Sequence, residues 1–153
     1  YLHEFLEYWC PRDEIKKIWM SLFTPQKGSN TEECLTPAER QQAIQDLVRL
    51  RGQFPKLDMG EKTLREFSNP PQSPEECIFS RTTLNVSADL RTKISPCQFG
   101  GDPDCSRCGC MGSMALAAVG HHTLPGGVTV GRVFRASTQV GKLAARIRPE
   151  EPA

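Results

Sequence analysis

Apolar residues open the chain at Leu2, Phe5, Leu6 and Trp9, the i, i+3, i+4, i+7 spacing of one helix face, and Pro11 closes that segment. The dense run from Ile15 to Phe23 predicts a strand buried on both faces, with Trp9, Trp19 and Phe23 as core residues. Thr24 to Gly28 turns the chain into the polar loop SNTEEC. Thr36-Pro37-Ala38-Glu39 predicts a helix start: Thr36 caps, Pro37 fits the first helical position and Glu39 reaches back. Ala43, Ile44, Leu47, Val48 and Leu50 supply that helix with an apolar face as far as about Gly52. PKLDM at 55–59 predicts a second short strand, and 60–76 one helical turn followed by a proline-marked loop.

Beyond the prolines at 70, 71 and 74 the pattern changes. Leu84, Val86 and Ala88 alternate, as do Thr92 and Ile94, and Ser87 to Leu90 supplies a turn. This predicts a β-hairpin with Cys77 and Cys97 at its feet. Met111 to Val119 predicts a short apolar helix, and 129–148 a helix carrying Val130, Val133, Phe134, Val140, Ala144 and Ile147. Its basic residues, Arg132, Arg135, Lys142, Arg146 and Arg148, read as spread around the helix, a solvated face. Three regions result: 1–75 with helix–strand alternation, 76–120 rich in cysteine, and 121–153 as a closing helix and tail. The alternation over 1–59 is that of βα units with parallel strands, so the fold class expected is α/β. The chain opens at Tyr1 already inside a helix, which reads as part of a longer protein.

Composition narrows the chemistry. Net charge is +1, so no global field points to nucleic acid or to a membrane, and neither is expected as a partner. No apolar run approaches the ~20 residues of a membrane span, and no signal-peptide pattern is present. Hydrophobic content of 38% with 12 Pro and 12 Gly implies long loops around a modest core. Of the seven cysteines, four lie in CQFGGDPDCSRCGC at 97–110, spaced C-x7-C-x2-C-x-C, and Cys77 lies upstream. Clustered, odd in number and without a secretion signal, they point to metal in a reducing compartment, the cytoplasm, rather than to disulfides. Cys105-x2-Cys108 is a common thiolate pair, and the irregular spacing of its partners favours a [4Fe–4S] cluster over zinc, which stays the alternative. Backbone N–H groups around Gly100, Gly101 and Gly109 are candidate donors to the sulfurs. His121-His122 reads as solvated loop, Cys10 and Cys34 as free thiols, and Asp102-Pro103-Asp104 as the turn between Cys97 and Cys105.

Cys77, a hairpin, SPC at 95–97 and a second cysteine group resemble the C-terminal auxiliary-cluster extension, of SPASM/Twitch type, of radical S-adenosylmethionine (radical SAM) enzymes. The resemblance implies the last βα units of a partial (β/α) barrel, followed by a β-hairpin plus helix auxiliary-cluster domain. Carried over by position, Cys77, Cys97, Cys105 and Cys108 would hold the auxiliary cluster. Cys110 makes a fifth candidate, and the set Cys97, Cys105, Cys108 and Cys110 stays open. The C-x3-C-x2-C run that holds the family's catalytic cluster is absent. S-adenosylmethionine would therefore bind only in the full-length enzyme, and this segment is not expected to be active alone. Its partners would be the upstream radical SAM core and a reductant such as ferredoxin or flavodoxin. Catalytic residues are not named by the pattern. Thr24, Gln26 and Lys27 follow a barrel-type strand, where ligands gather, and are candidates to touch substrate or S-adenosylmethionine. A zinc-stapled, non-catalytic binding module and a small ferredoxin-like carrier are the competing expectations.

Overall fold

The computed structural model describes residues 1–29 and 31–147; Arg148, the tail to 153 and Asn30 of the SNTEEC loop lie outside the described residues. Two compact units form, residues 1–117 and residues 118–153. In the first, α1 (Leu2–Trp9) and α2 (Pro37–Leu50) pack on each other, and α3 (Glu61–Glu66) packs on α2. The capping box predicted from sequence is present: the Glu39 N–H donates to Thr36 Oγ1 at 3.3 Å, and the Thr36 N–H to Glu39 Oε2 at 2.9 Å. Leu6 from α1, Ile44, Leu47 and Leu50 from α2, and Leu64 and Phe67 at α3 form the core with Leu57 and Met59. Cys108, Cys110 and Met114 belong to the same buried cluster, so the core continues into the cysteine loop.

The two segments predicted as strands meet, but neither is a regular strand. Ile18 and Leu57 form an isolated parallel bridge, with Ile18 N–H donating to Lys56 O at 2.7 Å and Asp58 N–H to Ile18 O at 3.1 Å. Side chains from Lys17 to Thr24 alternate: Ile18 and Thr24 are buried, Met20 and Leu22 half-buried, and Lys17, Trp19, Ser21 and Phe23 exposed. The segment is thus covered on one face, not two. Trp19 at 60% and Phe23 at 46% exposure leave the predicted core, because a period of two puts them opposite Ile18. Trp9 is half-buried against the core. The described residues form no barrel; the Ile18–Leu57 bridge is the parallel pairing they contain.

The hairpin is shorter than predicted. It consists of β1 (Asn85–Val86) and β2 (Lys93–Ile94), antiparallel, with Asn85 opposite Ile94 and Val86 opposite Lys93. The turn sits where expected. Ser87 N–H donates to Thr92 O at 2.9 Å, Leu90 has φ of 59°, and the Asp89 carboxylate accepts from Arg91 N at 2.9 Å and Thr92 N at 3.0 Å. Cys77 is not a hairpin foot: it caps a separate helical turn, α4 (Ile78–Thr82). The Cys77 side chain caps that turn by accepting from Ser80 N–H at 3.5 Å, and the Thr82 and Thr83 hydroxyls donate to Ile78 O and Phe79 O at 2.8 and 2.6 Å. α5 (Met111–Gly120) follows the cysteine loop as predicted.

In the second unit His121 and His122, both exposed, precede a turn at 124–128 that the Thr123–Thr129 bridge closes and that leads into α6 (Val130–Ile147). Every position of α6 from Arg132 to Arg146 is exposed.

Candidate metal centre

Three separate stretches deliver cysteines to one place. Cys77 arrives at the head of α4, and Cys97 just past β2. Ser80 Oγ joins these two by donating to Pro96 O at 2.8 Å. Cys105 and Cys108 bracket a single 3₁₀ turn, with Cys108 N–H donating to Cys105 O at 3.0 Å. Cys110 heads α5, where Met114 N–H donates to its carbonyl at 3.0 Å. All five cysteines line one small cavity, open in part to solvent. Its other walls are Phe79, Phe99, three prolines, Thr24 and two serines, with no charged side chain among them. Among the described residues that line it, the five cysteines are therefore the titratable groups.

The floor of the site is built by a segment far away in sequence. Leu22 N–H donates to Gly109 O at 2.9 Å, and Gly109 N–H donates to Thr24 Oγ1 at 2.8 Å. The approach is so close that a Cβ on Gly109 would lie 2.0 Å from Leu22 O. Farther along, Asp104 N–H donates to Pro25 O and Lys27 N–H to Asp102 O, each at 2.8 Å. Gln26 Oε1 accepts from Asp102 N at 2.8 Å, and Lys27 Nζ pairs with Asp102 Oδ1 at 2.8 Å. Thr24, Gln26 and Lys27, the candidates to touch substrate or S-adenosylmethionine, hold the cysteine loop in place. Asp102 to Asp104 makes the expected turn, tightened by Asp104 accepting from Ser106 Oγ at 2.6 Å and Arg107 Nε at 2.8 Å.

Arg40 fixes the loop from the other side. Its guanidinium donates to Phe67 O at 3.1 and 2.9 Å, to Arg107 O at 3.1 Å and to Cys108 O at 2.5 Å. Sequence pattern gave no sign of this role, since a basic residue on the first turn of α2 reads as solvated. Ser113 and Gln98 were missed for the same reason. Ser113 Oγ lies 3.2 Å from Cys77 Sγ, and Gln98 Nε2 donates to Cys110 Sγ at 3.2 Å.

The sulfurs accept from backbone as well, while the Gly100 and Gly109 N–H groups themselves are engaged elsewhere. Gly100 N–H is engaged with Cys97 O and Gly109 N–H with Thr24, because each closes the loop itself. Ser113 N–H donates to Cys110 Sγ at 3.4 Å, and Ser80 N–H to Cys77 Sγ at 3.5 Å, both at helix starts. Donors at helix N-termini favour a thiolate. Burial acts in the opposite sense. It pushes the Cys105 thiol up to about 11, with further contributions from Cys108, Cys77 and Cys97. Burial also raises Cys108, opposed by the Cys110 N–H and the Thr24 hydroxyl, and raises Cys110, opposed by the Ser113 and Gly112 N–H groups. These three thiols are neutral near pH 7, and a cation entering the cavity would displace their protons.

All seven cysteines are free, and Cys10 and Cys34 stand outside the cavity. Among the described residues no group of three or more His, Cys, Asp or Glu side chains is arranged to hold a single metal ion. Four thiolates on one zinc at ~2.3 Å would stand about 3.8 Å apart by tetrahedral geometry. A polynuclear cluster takes each thiolate on a different metal atom, so its ligands surround a volume rather than a point. No helix among the described residues is long and apolar enough to cross a membrane. No protein-family model, no curated protein and no solved structure matches the chain.

Proposed function

We propose that residues 77–110 bind an iron–sulfur cluster of the [4Fe–4S] type. We further propose that the chain is the C-terminal, auxiliary-cluster part of a radical SAM enzyme working in the cytoplasm. The carrying observation is the cavity: among the described residues that line it, five cysteines from three chain segments are the titratable groups, and its walls are otherwise apolar or hydroxylic. When bound, the cluster would supply one-electron transfer or an open iron that anchors substrate. Four of Cys77, Cys97, Cys105, Cys108 and Cys110 would ligate it. Ser113 N–H, Ser80 N–H and Gln98 Nε2 would offset the charge on their sulfurs. Thr24, Gln26 and Arg40 would hold the loop that carries Cys105 to Cys110. The barrel part of the proposal rests on the resemblance, with the isolated parallel Ile18–Leu57 bridge as the one contact of the described residues in keeping with it. Cleavage of S-adenosylmethionine would belong to the upstream core, with a ferredoxin or flavodoxin as reductant.

Anaerobic purification with iron, sulfide and zinc analysis tests the reading. Expected is a brown protein holding iron and acid-labile sulfide in near-equal amounts, with four of the five single Cys→Ser variants losing iron. A colourless protein with one tightly held zinc would overturn it and favour the zinc-stapled module.

A further inference from the structure

α6 differs from the rest of the chain in charge. Its sequence, VGRVFRASTQVGKLAARI, holds four cations and no Asp or Glu. The overall net charge of +1 conceals this concentration. Among the described residues no carboxylate forms an ion pair with Arg132, Arg135, Lys142 or Arg146.

These cations are not spread around the helix, as the linear sequence suggested. Steps of three, seven and four residues separate them, and at about 100° per residue they fall within about 80° of arc. The opposite half is apolar: Val133, Phe134, Val140 and Leu143, with small residues between, cover about 180°. Those four side chains are 49%, 56%, 67% and 59% exposed.

We infer that α6 is an interfacial helix that lies on an anionic lipid surface, against the sequence-based expectation of no membrane partner. A strongly segregated helix with cations on one face, Phe and Leu on the other and little net hydrophobicity has the make-up of a monotopic anchor. It is too polar to span a bilayer. Charge complementarity selects the occupant: four cations without a carboxylate among them suit a surface of anionic headgroups. The segregation of four cations from the apolar face, rather than the spacing of the apolar residues, is what favours a headgroup surface.

Co-sedimentation of the full 153-residue chain tests this, using vesicles of phosphatidylcholine alone and of phosphatidylcholine mixed with phosphatidylglycerol. Expected is binding to the mixed vesicles that weakens with salt. R135Q/K142Q would lower affinity roughly 30-fold, at ~1 kcal/mol per cation near the surface, and F134D/V140D would abolish binding with circular dichroism unchanged. Three results would overturn the inference. One is failure to pellet with anionic vesicles at low salt. Another is equal binding to both vesicle types with no response to R135Q/K142Q. The third is a concentration-dependent dimer, dispersed by F134D/V140D, which would give the apolar face to a second copy. None of these readouts depends on iron content.

Discussion

Replacing Gly109 with alanine should break the cysteine loop away from its floor. The φ of Gly109 is not positive, so what the position needs is space rather than a left-handed backbone. An added Cβ would lie 2.0 Å from Leu22 O, 2.3 Å from Leu22 C and 2.7 Å from Leu22 Cα. These are backbone atoms that no rotamer change can move. Ordinary contact begins near 3.4 Å, so the two segments must part by about 1.4 Å (3.4 − 2.0). That separation breaks two hydrogen bonds, Leu22 N–H to Gly109 O at 2.9 Å and Gly109 N–H to Thr24 Oγ1 at 2.8 Å. Each is worth about 1 kcal/mol net, and overpacking a tight site adds roughly 1–3 kcal/mol. The expected loss is therefore about 3–5 kcal/mol, a fall in urea midpoint of roughly 2 M at a typical slope of about 2 kcal/mol/M. Cys108 and Cys110 flank the residue, so iron content should fall in parallel. G141A is the control. Nothing lies within 4 Å of its added Cβ, and in a helix interior it should stabilise α6 by up to ~1 kcal/mol. If G109A unfolds at the wild-type midpoint and holds as much iron, the floor described here is not what positions the loop.

Thr36→Ala removes the capping box of α2 and should cost about 1 kcal/mol in urea unfolding, with iron content retained; a null result would separate the cap from stability. Arg40→Lys keeps the charge but not the fork that reaches Phe67 O, Arg107 O and Cys108 O. It should lower stability by roughly 2 kcal/mol and reduce iron loading, whereas wild-type behaviour would show that charge alone suffices. The Ser87 hydroxyl, then the Thr92 hydroxyl and the Thr92 and Arg91 N–H groups, hold the Asp89 carboxyl well below the usual carboxylate range. Because the folded value is depressed, the turn is fully supported above the unfolded value of about 3.9 and loosens as pH falls through the folded one. The Thr92 amide shift should then titrate well below pH ~3.9 in wild type and not at all in D89N; a midpoint near 3.9 would contradict it.

The helices were legible where one local signal sufficed. Thr36 and Glu39 announce α2 at four residues' range, periodicity marks α1 and α6, and a run of small apolar residues marks α5. The Ile15–Phe23 segment was not, because apolar residues occupy both of its faces. Only tertiary packing decides that Ile18 is covered and Trp19 is not. The hairpin is shorter than its alternation suggests, because Cys77 caps a helical turn and the residues after it enter α4 instead of a strand. Convergence of the cysteines was visible from spacing, though the means was not. Cys77 reaches the cavity through a helix cap and the Ser80–Pro96 bond rather than as a strand end. Arg40, at 27 and 68 residues from its carbonyl partners Phe67 and Cys108, leaves no trace at short range. The cation face of α6 is a different case, since steps of three, seven and four already place residues on one side.

What holds the cysteine loop also separates the cluster reading from the zinc staple. In small zinc-stapled domains the metal supplies the folding energy, about 10–16 kcal/mol, and the apo chain is unfolded. Here the loop is fixed by Thr24, Gln26, Lys27 and Arg40, none of which needs a metal. Beside it Leu6, Ile44, Leu47, Leu50, Leu57, Met59, Leu64 and Phe67 supply most of a core that Cys108 and Cys110 join at its edge. Fully burying each such side chain contributes about 1.5–3 kcal/mol before entropy, a gross term as large as a metal's. Removing metal with a chelator under reducing conditions should therefore leave helical circular dichroism nearly unchanged. A cooperative urea transition should persist with a modestly lower midpoint, and the freed thiols should react with an alkylating probe. A chain that loses its helices on chelation and regains them with zinc alone would refute this, because the cavity would then be a product of the metal rather than a site prepared for it.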